Sequence, residues 1–198
     1  MELSFVLEHL YLVFMSCIFT TIFGLILGIF SYIFKPFRVV ILWVVDVLQT
    51  VPVLALLGFI MLFFGGSSTT VIIGIVLYSL LPVVRNTYVG LTNINPAIKE
   101  AAKGMGMTRN QRLFMAELPL AFPIIFTGIR IAVVNSIGVA VFGFVVGGGG
   151  LGTIIYRSIY IQDLGTIMFA TGILMCMAIV FDYGMAYIEK RLNAKNNM

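Results

Sequence analysis

The chain has 198 residues, 61% of them hydrophobic and 10% charged, against about a quarter charged in an ordinary soluble domain. That composition excludes a water-solvated fold and makes a bilayer the natural solvent. The net charge of +4 comes without a Lys/Arg stripe, which excludes a nucleic-acid surface and leaves membrane topology as the reason for the excess of base.

In chain order, the first residues, MELSFVLEHL, carry Glu2 and Glu8 where a secretory leader would carry base, so the first apolar stretch is expected to stay in the mature protein. Five stretches are long and apolar enough to cross about 30 Å of hydrocarbon as helices: 10–34, 39–64, 71–91, 121–146 and 165–188. Helices are required because an open strand edge in lipid leaves backbone polar groups unpaired. The first span holds Gly24 and Gly28, which read as sites of close helix approach. Pro52 and Pro82 are expected to bend the second and third spans. Cys17 and Cys176 lie in apolar stretches without metal-site spacing and read as packing residues. The loops KPFR and GGSSTT are short and force antiparallel neighbours. Gly147 to Gly150 lack the Lys-Ser/Thr and the preceding strand of a nucleotide loop, and read as a flexible outer turn.

The third gap, 93–119, is long and polar, and its grammar is helix, glycine turn, helix. Asn95 can cap the first helix with Pro96 at its first position. Gly104 and Gly106 supply the break, Thr108 and Gln111 form a capping-box pattern, and Pro119 and Pro123 mark entry to the fourth span. The segment carries Lys99, Lys103, Arg109 and Arg112. With Lys35 and Arg38, and with Lys190, Arg191 and Lys195 in the tail, it places nine of the 12 basic residues on one side. Arg157 alone falls opposite. Basic loops stay cytoplasmic, so the expected fold is an all-α polytopic bundle of five transmembrane helices, N-terminus outside and C-terminus cytoplasmic, forming one domain over 1–198.

Charge inside the spans is expensive. Asp46, Arg85, Arg130 and Asp182 each come to lie on the order of 10 Å inside the cytoplasmic boundary, where an isolated charge costs up to about 2.5–3.5 kcal/mol at mid-bilayer. The four are expected either to form an interhelical ionic layer near an inner gate or, for the two arginines, to snorkel while the acids face water. Spacing does not say which Asp meets which Arg. His9, at the outer edge of the first span, has no Ser or Asp arranged with it for catalysis, which argues against a membrane enzyme.

Glu100-Ala101-Ala102, three residues, Gly106, then eleven residues to Leu118-Pro119 resembles the EAA loop of ABC importer permeases. The resemblance implies that 93–119 is the cytoplasmic coupling loop and that these six residues meet a separate ATPase dimer, which binds the ATP. No cofactor is expected in this chain. Ala116 stands where the family usually has a branched apolar residue, which weakens one contact. LQTVPVLALLGF (48–59), LYSLLPVVRNTYVGL (77–91) and VGGGGLG further resemble permeases that import glycine betaine, carnitine and choline, covering about 46–191. A methionine-type permease is the alternative, and an ion-coupled secondary transporter a more distant one, since no repeated halves with broken helices are visible. The family implies a second permease subunit, either another copy or, the reading preferred here, a different chain, together with an extracytoplasmic substrate-binding protein, surrounding lipid and a bacterial cell membrane. Trp43, Tyr78, Phe142 and Phe144 are candidates for a cation–π cage, against a plainer reading as packing or interfacial anchors.

Overall fold

The computed structural model describes residues 3–196, with the side chains of 193–196, Lys195 among them, left aside; Glu2 lies outside the described residues. Helices account for nearly all of it. The first, α1 (Leu3–Ile33), buries His9, Leu12, Val13, Ser16, Thr20, Gly24, Gly28 and Ser31. Steps of mostly three and four residues put these on one stripe, and the stripe lies on α4 (Ser68–Thr92). A Cβ on Gly24 would stand 2.6 Å from Val83, and one on Gly28 would stand 2.5 Å from Thr87. The two backbones therefore meet as closely as small residues permit.

The second expected span is not one helix. α2 (Lys35–Thr50) and α3 (Val53–Phe64) are bent by 105° at the break between them. Pro52 has no N–H to donate, and it holds Val51 in extended backbone at ψ 129°, the conformation a residue before proline prefers. Pro82, by contrast, sits inside α4 without ending it.

After α4 come α5 (Pro96–Gly104) and the short α6 (Arg109–Gln111), then a π-helical turn (Arg112–Glu117), α7 (Leu118–Ala140) and a 3-10 turn (Val141–Val146). From Arg109 to Val146 these form one helical stretch of 38 residues. The second helix of the polar segment is thus continuous with the fourth span, not a separate element before it. The joint is the π turn, where the Leu118 N–H bonds to the Leu113 carbonyl five residues back, and Pro119 follows directly after it at the start of α7.

α8 (Leu151–Tyr160), a helix too short to cross a membrane, was not among the expected elements. α9 (Leu164–Asn196) closes the chain. Asp163 caps it, its carboxylate held below the usual range because the Thr166 hydroxyl and then the Thr166 N–H donate to it. Among the described residues, four helical stretches are long and apolar enough to span, and the count is five if the bent α2–α3 pair is one span. α4 is the most buried of them and α9 the least.

The glycine turn is not a loose loop. Gly150 donates its N–H to the Glu8 carboxylate at 3.0 Å. A Cβ on Gly149 would meet that carboxylate at 2.4 Å, and one on Gly152 would stand 1.8 Å from the Val141 carbonyl. His9, fully buried beneath, has Nε2 3.2 Å from the Ile137 carbonyl. Of the two cysteines, Cys17 packs against the central core and Cys176 is exposed on α9, which corrects its reading as a packing residue.

Candidate functional site

The polar segment is built by local rules that its sequence states. Asn95 accepts from the Ala97 N–H at 3.0 Å with Pro96 next to it. Thr108 and Gln111 make the reciprocal capping box. Gly106 stands at φ +81° between the two helices, and an added Cβ would meet nothing within 4 Å. Its requirement for glycine is therefore one of backbone conformation and not of space.

The six motif residues divide by environment. Glu100 and Ala101 face outward, Ala102 is buried, Gly106 and Pro119 are exposed, and Leu118 packs on a core of Leu91, Ile94, Leu113, Ala121 and Ile125. Beside them stand apolar side chains that the sequence reading passed over: Ile98 at 40%, Met105 at 71% and Phe114 at 63% exposure.

The four charged residues of the spans fall into two groups. On one flank Arg85 donates from Nη2 to both carboxylate oxygens of Asp46, at 3.1 and 3.0 Å, joining α4 to α2. On another, Arg130 donates from Nε to Asp182 at 2.7 Å and from Nη1 to Glu189 at 2.9 Å, joining α7 to α9. Among the described residues no salt bridge connects the groups. Glu189 was missed, although its spacing of seven from Asp182 places it two turns along the same helix face. The Thr127 hydroxyl also donates to Glu189, and Thr127, Arg130, Asn135 and Asp182, with Ile131 and Val134, line a cleft of about 210 Å³.

The four candidate cage aromatics do not converge. Trp43 is exposed on α2, Tyr78 packs against the central core, and Phe144 stacks on Tyr156 with ring centroids 4.4 Å apart. Among the described residues no ring of the four stacks on another of them.

A bundle with one sharply bent helix pair, an exposed helix–turn–helix and ion pairs between its long helices has known counterparts. Residues 20–194 match the family described as Binding-protein-dependent transport system inner membrane component. The chain belongs to that family. As an inner membrane component it is a multi-pass transport subunit of a bacterial type. It is 40% identical over 196 residues to the glycine betaine/carnitine/choline transport system permease protein OpuCD of Bacillus subtilis, covering 96% of this chain and 85% of that protein. It is 33% identical over 188 residues to OpuCB, a permease protein of the same description from the same organism, covering 95% and 87%. In fold it is similar to a subunit of the MetNI methionine ABC transporter in inward-facing conformations, with a TM-score of 0.87 at 22% identity, covering 96% of this chain and 95% of that one. At that identity the likeness is one of fold.

Proposed function

We propose that this inner membrane component is the permease subunit of an ATP-driven importer for osmoprotectant quaternary amines: glycine betaine, carnitine and choline. The observation that carries the reading is the 40% identity, across nearly the whole chain, to a permease protein described for those three solutes. The methionine likeness is half as strong in sequence and speaks for the fold.

In this reading the N-terminus is outside, the C-terminus is cytoplasmic, and 93–119 faces the cytoplasm with the basic residues. An ATPase dimer seats on α5 and the Gly106 turn, where Glu100, Ala101, Ile98 and Met105 are exposed. ATP is bound by that partner. A soluble binding protein delivers solute from the other side, in keeping with the family's description. Similarity to both OpuCD and OpuCB supports pairing with a second, non-identical permease.

The ionic groups serve as an inner gate. The side chains of Arg85 and Asp46 are 56% and 40% exposed, and charge facing hydrocarbon at that depth would be unstable. Their flank therefore meets water or the second permease. Pairs that join different helices can exchange partners as those helices move, which makes them suited to a two-state element.

The reading is tested by reconstituting the chain with its ATPase, second permease and binding protein in proteoliposomes. Labelled betaine, carnitine or choline should accumulate only with ATP and the binding protein present, and cells lacking the chain should lose most of that uptake under hyperosmotic stress. Accumulation of methionine with none of the quaternary amines would overturn the substrate assignment.

A further inference from the structure

From the sequence, Lys99 and Arg109 are two of the basic residues that set topology. In the structure each meets the C-terminal end of a long helix. Lys99 of α5 donates from Nζ to the Leu91 carbonyl, in the last turn of α4, at 2.9 Å and to the Tyr32 hydroxyl, in the last turn of α1, at 3.1 Å. Its ammonium also stands 5.1 Å from the centre of the Tyr32 ring. Arg109 of α6 donates from Nη2 to the carbonyl of Ile33, the last residue of α1, at 2.8 Å.

The final carbonyls of a helix have no N–H of their own helix to accept from, and they form the negative end of its dipole. A cation placed there supplies the missing hydrogen bond and meets the field as well. Two of the four cations of 93–119 are so placed, one on each side of the Gly106 turn. The two sites differ in exposure. Lys99 is half-buried and Arg109 is exposed, so water screens the second contact more than the first.

These contacts reach helices that the chain itself does not tie to the segment. α5 packs chiefly on the π turn that leads into α7, and α7 is covalently joined to that turn. α1 has no such link, for Tyr32 precedes Lys99 by 67 residues. Its last turn instead packs, through Tyr32 and Ile33, on the core that holds Leu91, Ile94 and Leu113, and it receives the two cations.

We propose that Lys99 is the positioning residue that ties the coupling segment to the C-terminal ends of α1 and α4, with Arg109 a weaker second tie to α1. The inference rests on the reading of 93–119 as the ATPase seat. A lysine stem is flexible when its ammonium is free. Held by two acceptors and over a ring, the stem is fixed, so a displacement of α5 draws both helix ends with it. Gly24 and Gly28 bring α1 and α4 into close contact, and the two helices receive that displacement as one body.

The test compares wild type, Lys99→Met, Lys99→Arg and Arg109→Met in the complete transporter in proteoliposomes. Two quantities are read: ATP hydrolysis stimulated by loaded binding protein, and labelled glycine betaine accumulated per ATP. Lys99→Met keeps an apolar stem and loses the donor. It should retain its ATPase on purification, hydrolyse ATP near the wild-type rate and accumulate about tenfold less solute per ATP, the worth of hydrogen bonds to a charged group. Lys99→Arg keeps charge and donors and should stay within about twofold of wild type. Arg109→Met should lose about threefold, because its contact is exposed. A wild-type ratio in Lys99→Met, or an equal loss in Lys99→Arg, overturns the proposal while the coupling reading stands. So does loss of the ATPase when Lys99→Met is purified, since Lys99 would then belong to the seat itself. If Gly106→Val and Ala at both Ile98 and Met105 leave ATPase retention and turnover unchanged, the seat lies elsewhere and both readings fall. Should Lys99→Met not assemble, Arg109→Met carries the test alone, and a wild-type ratio there overturns the proposal.

Discussion

The two ends of the bundle are held by opposite means. Around residues 147–152 the chain is fixed by shape: glycines meet the Glu8 carboxylate, Val71 and the Val141 carbonyl at distances that leave no room for a methyl group. Around 93–119, and in the half of the bundle next to it, the ties are polar. All four ion pairs of the described residues lie there, joining α2 to α4, α7 to α9 and Arg112 to Glu117. Close-packed backbone admits one arrangement, whereas ion pairs and hydrogen bonds can break and re-form elsewhere at modest cost. The two ends are thus built from different interactions, one kind that fixes a single arrangement and one kind that can re-form.

The largest expected effect breaks the rigid end. Gly152→Ala would drive a Cβ to 1.8 Å from the Val141 carbonyl, a backbone atom that no rotamer change can withdraw. Overpacking of this kind costs about 3 kcal/mol. A lowered melting temperature of the detergent-solubilised chain should show it, with transport lost in proportion to folded protein. Gly106→Val should behave in the opposite way. Its Cβ meets nothing, so the penalty is only that of a β-branched residue at φ +81°, about 1–3 kcal/mol. Confined to the turn, that strain should leave the melting of the bundle near wild type while uptake falls by roughly 5- to 150-fold. A large shift in melting temperature for Gly106→Val would show the two ends to be equally rigid.

The sequence made the polar end legible and the glycine end almost opaque. Caps, the capping box and the Gly106 turn are local features, set within a few residues, and Asn95, Thr108 and Gln111 do what their order states. The glycine turn is shaped by α1, whose Glu8 and His9 arrive from about 140 residues earlier in the chain, and no spacing rule carries such a contact. The same distinction explains the broken second span. Pro52 announced a bend, but its size depends on how α3 packs against α4. Charge depth could be counted along each helix, yet which Asp meets which Arg depends on which helices are neighbours, and Glu189 entered only because α9 lies against α7.

The smallest expected effect, and the one that bears most directly on movement, is a charge reversal at the paired residues. Arg85 and Asp46 are each about half-exposed in this chain, and pairs of that kind contribute about 0–1 kcal/mol when water is free to screen them. A single reversal adds repulsion between like charges, so Asp46→Arg or Arg85→Asp alone should lower uptake by roughly fivefold, or about 1 kcal/mol. The two together should restore it, because the pair is isolated from the Arg130 group. Asp46→Arg combined with Arg130→Asp should not, since those residues belong to different groups. Arg130→Asp should also resist rescue by Asp182→Arg alone, because Glu189 still presents a carboxylate to the same position. Only reversal of both acids would re-form that site. If uptake is at wild-type level with Ala at each of Asp46, Arg85, Arg130 and Asp182 in turn, these charges do no more than face water, and the polar end moves by some other means.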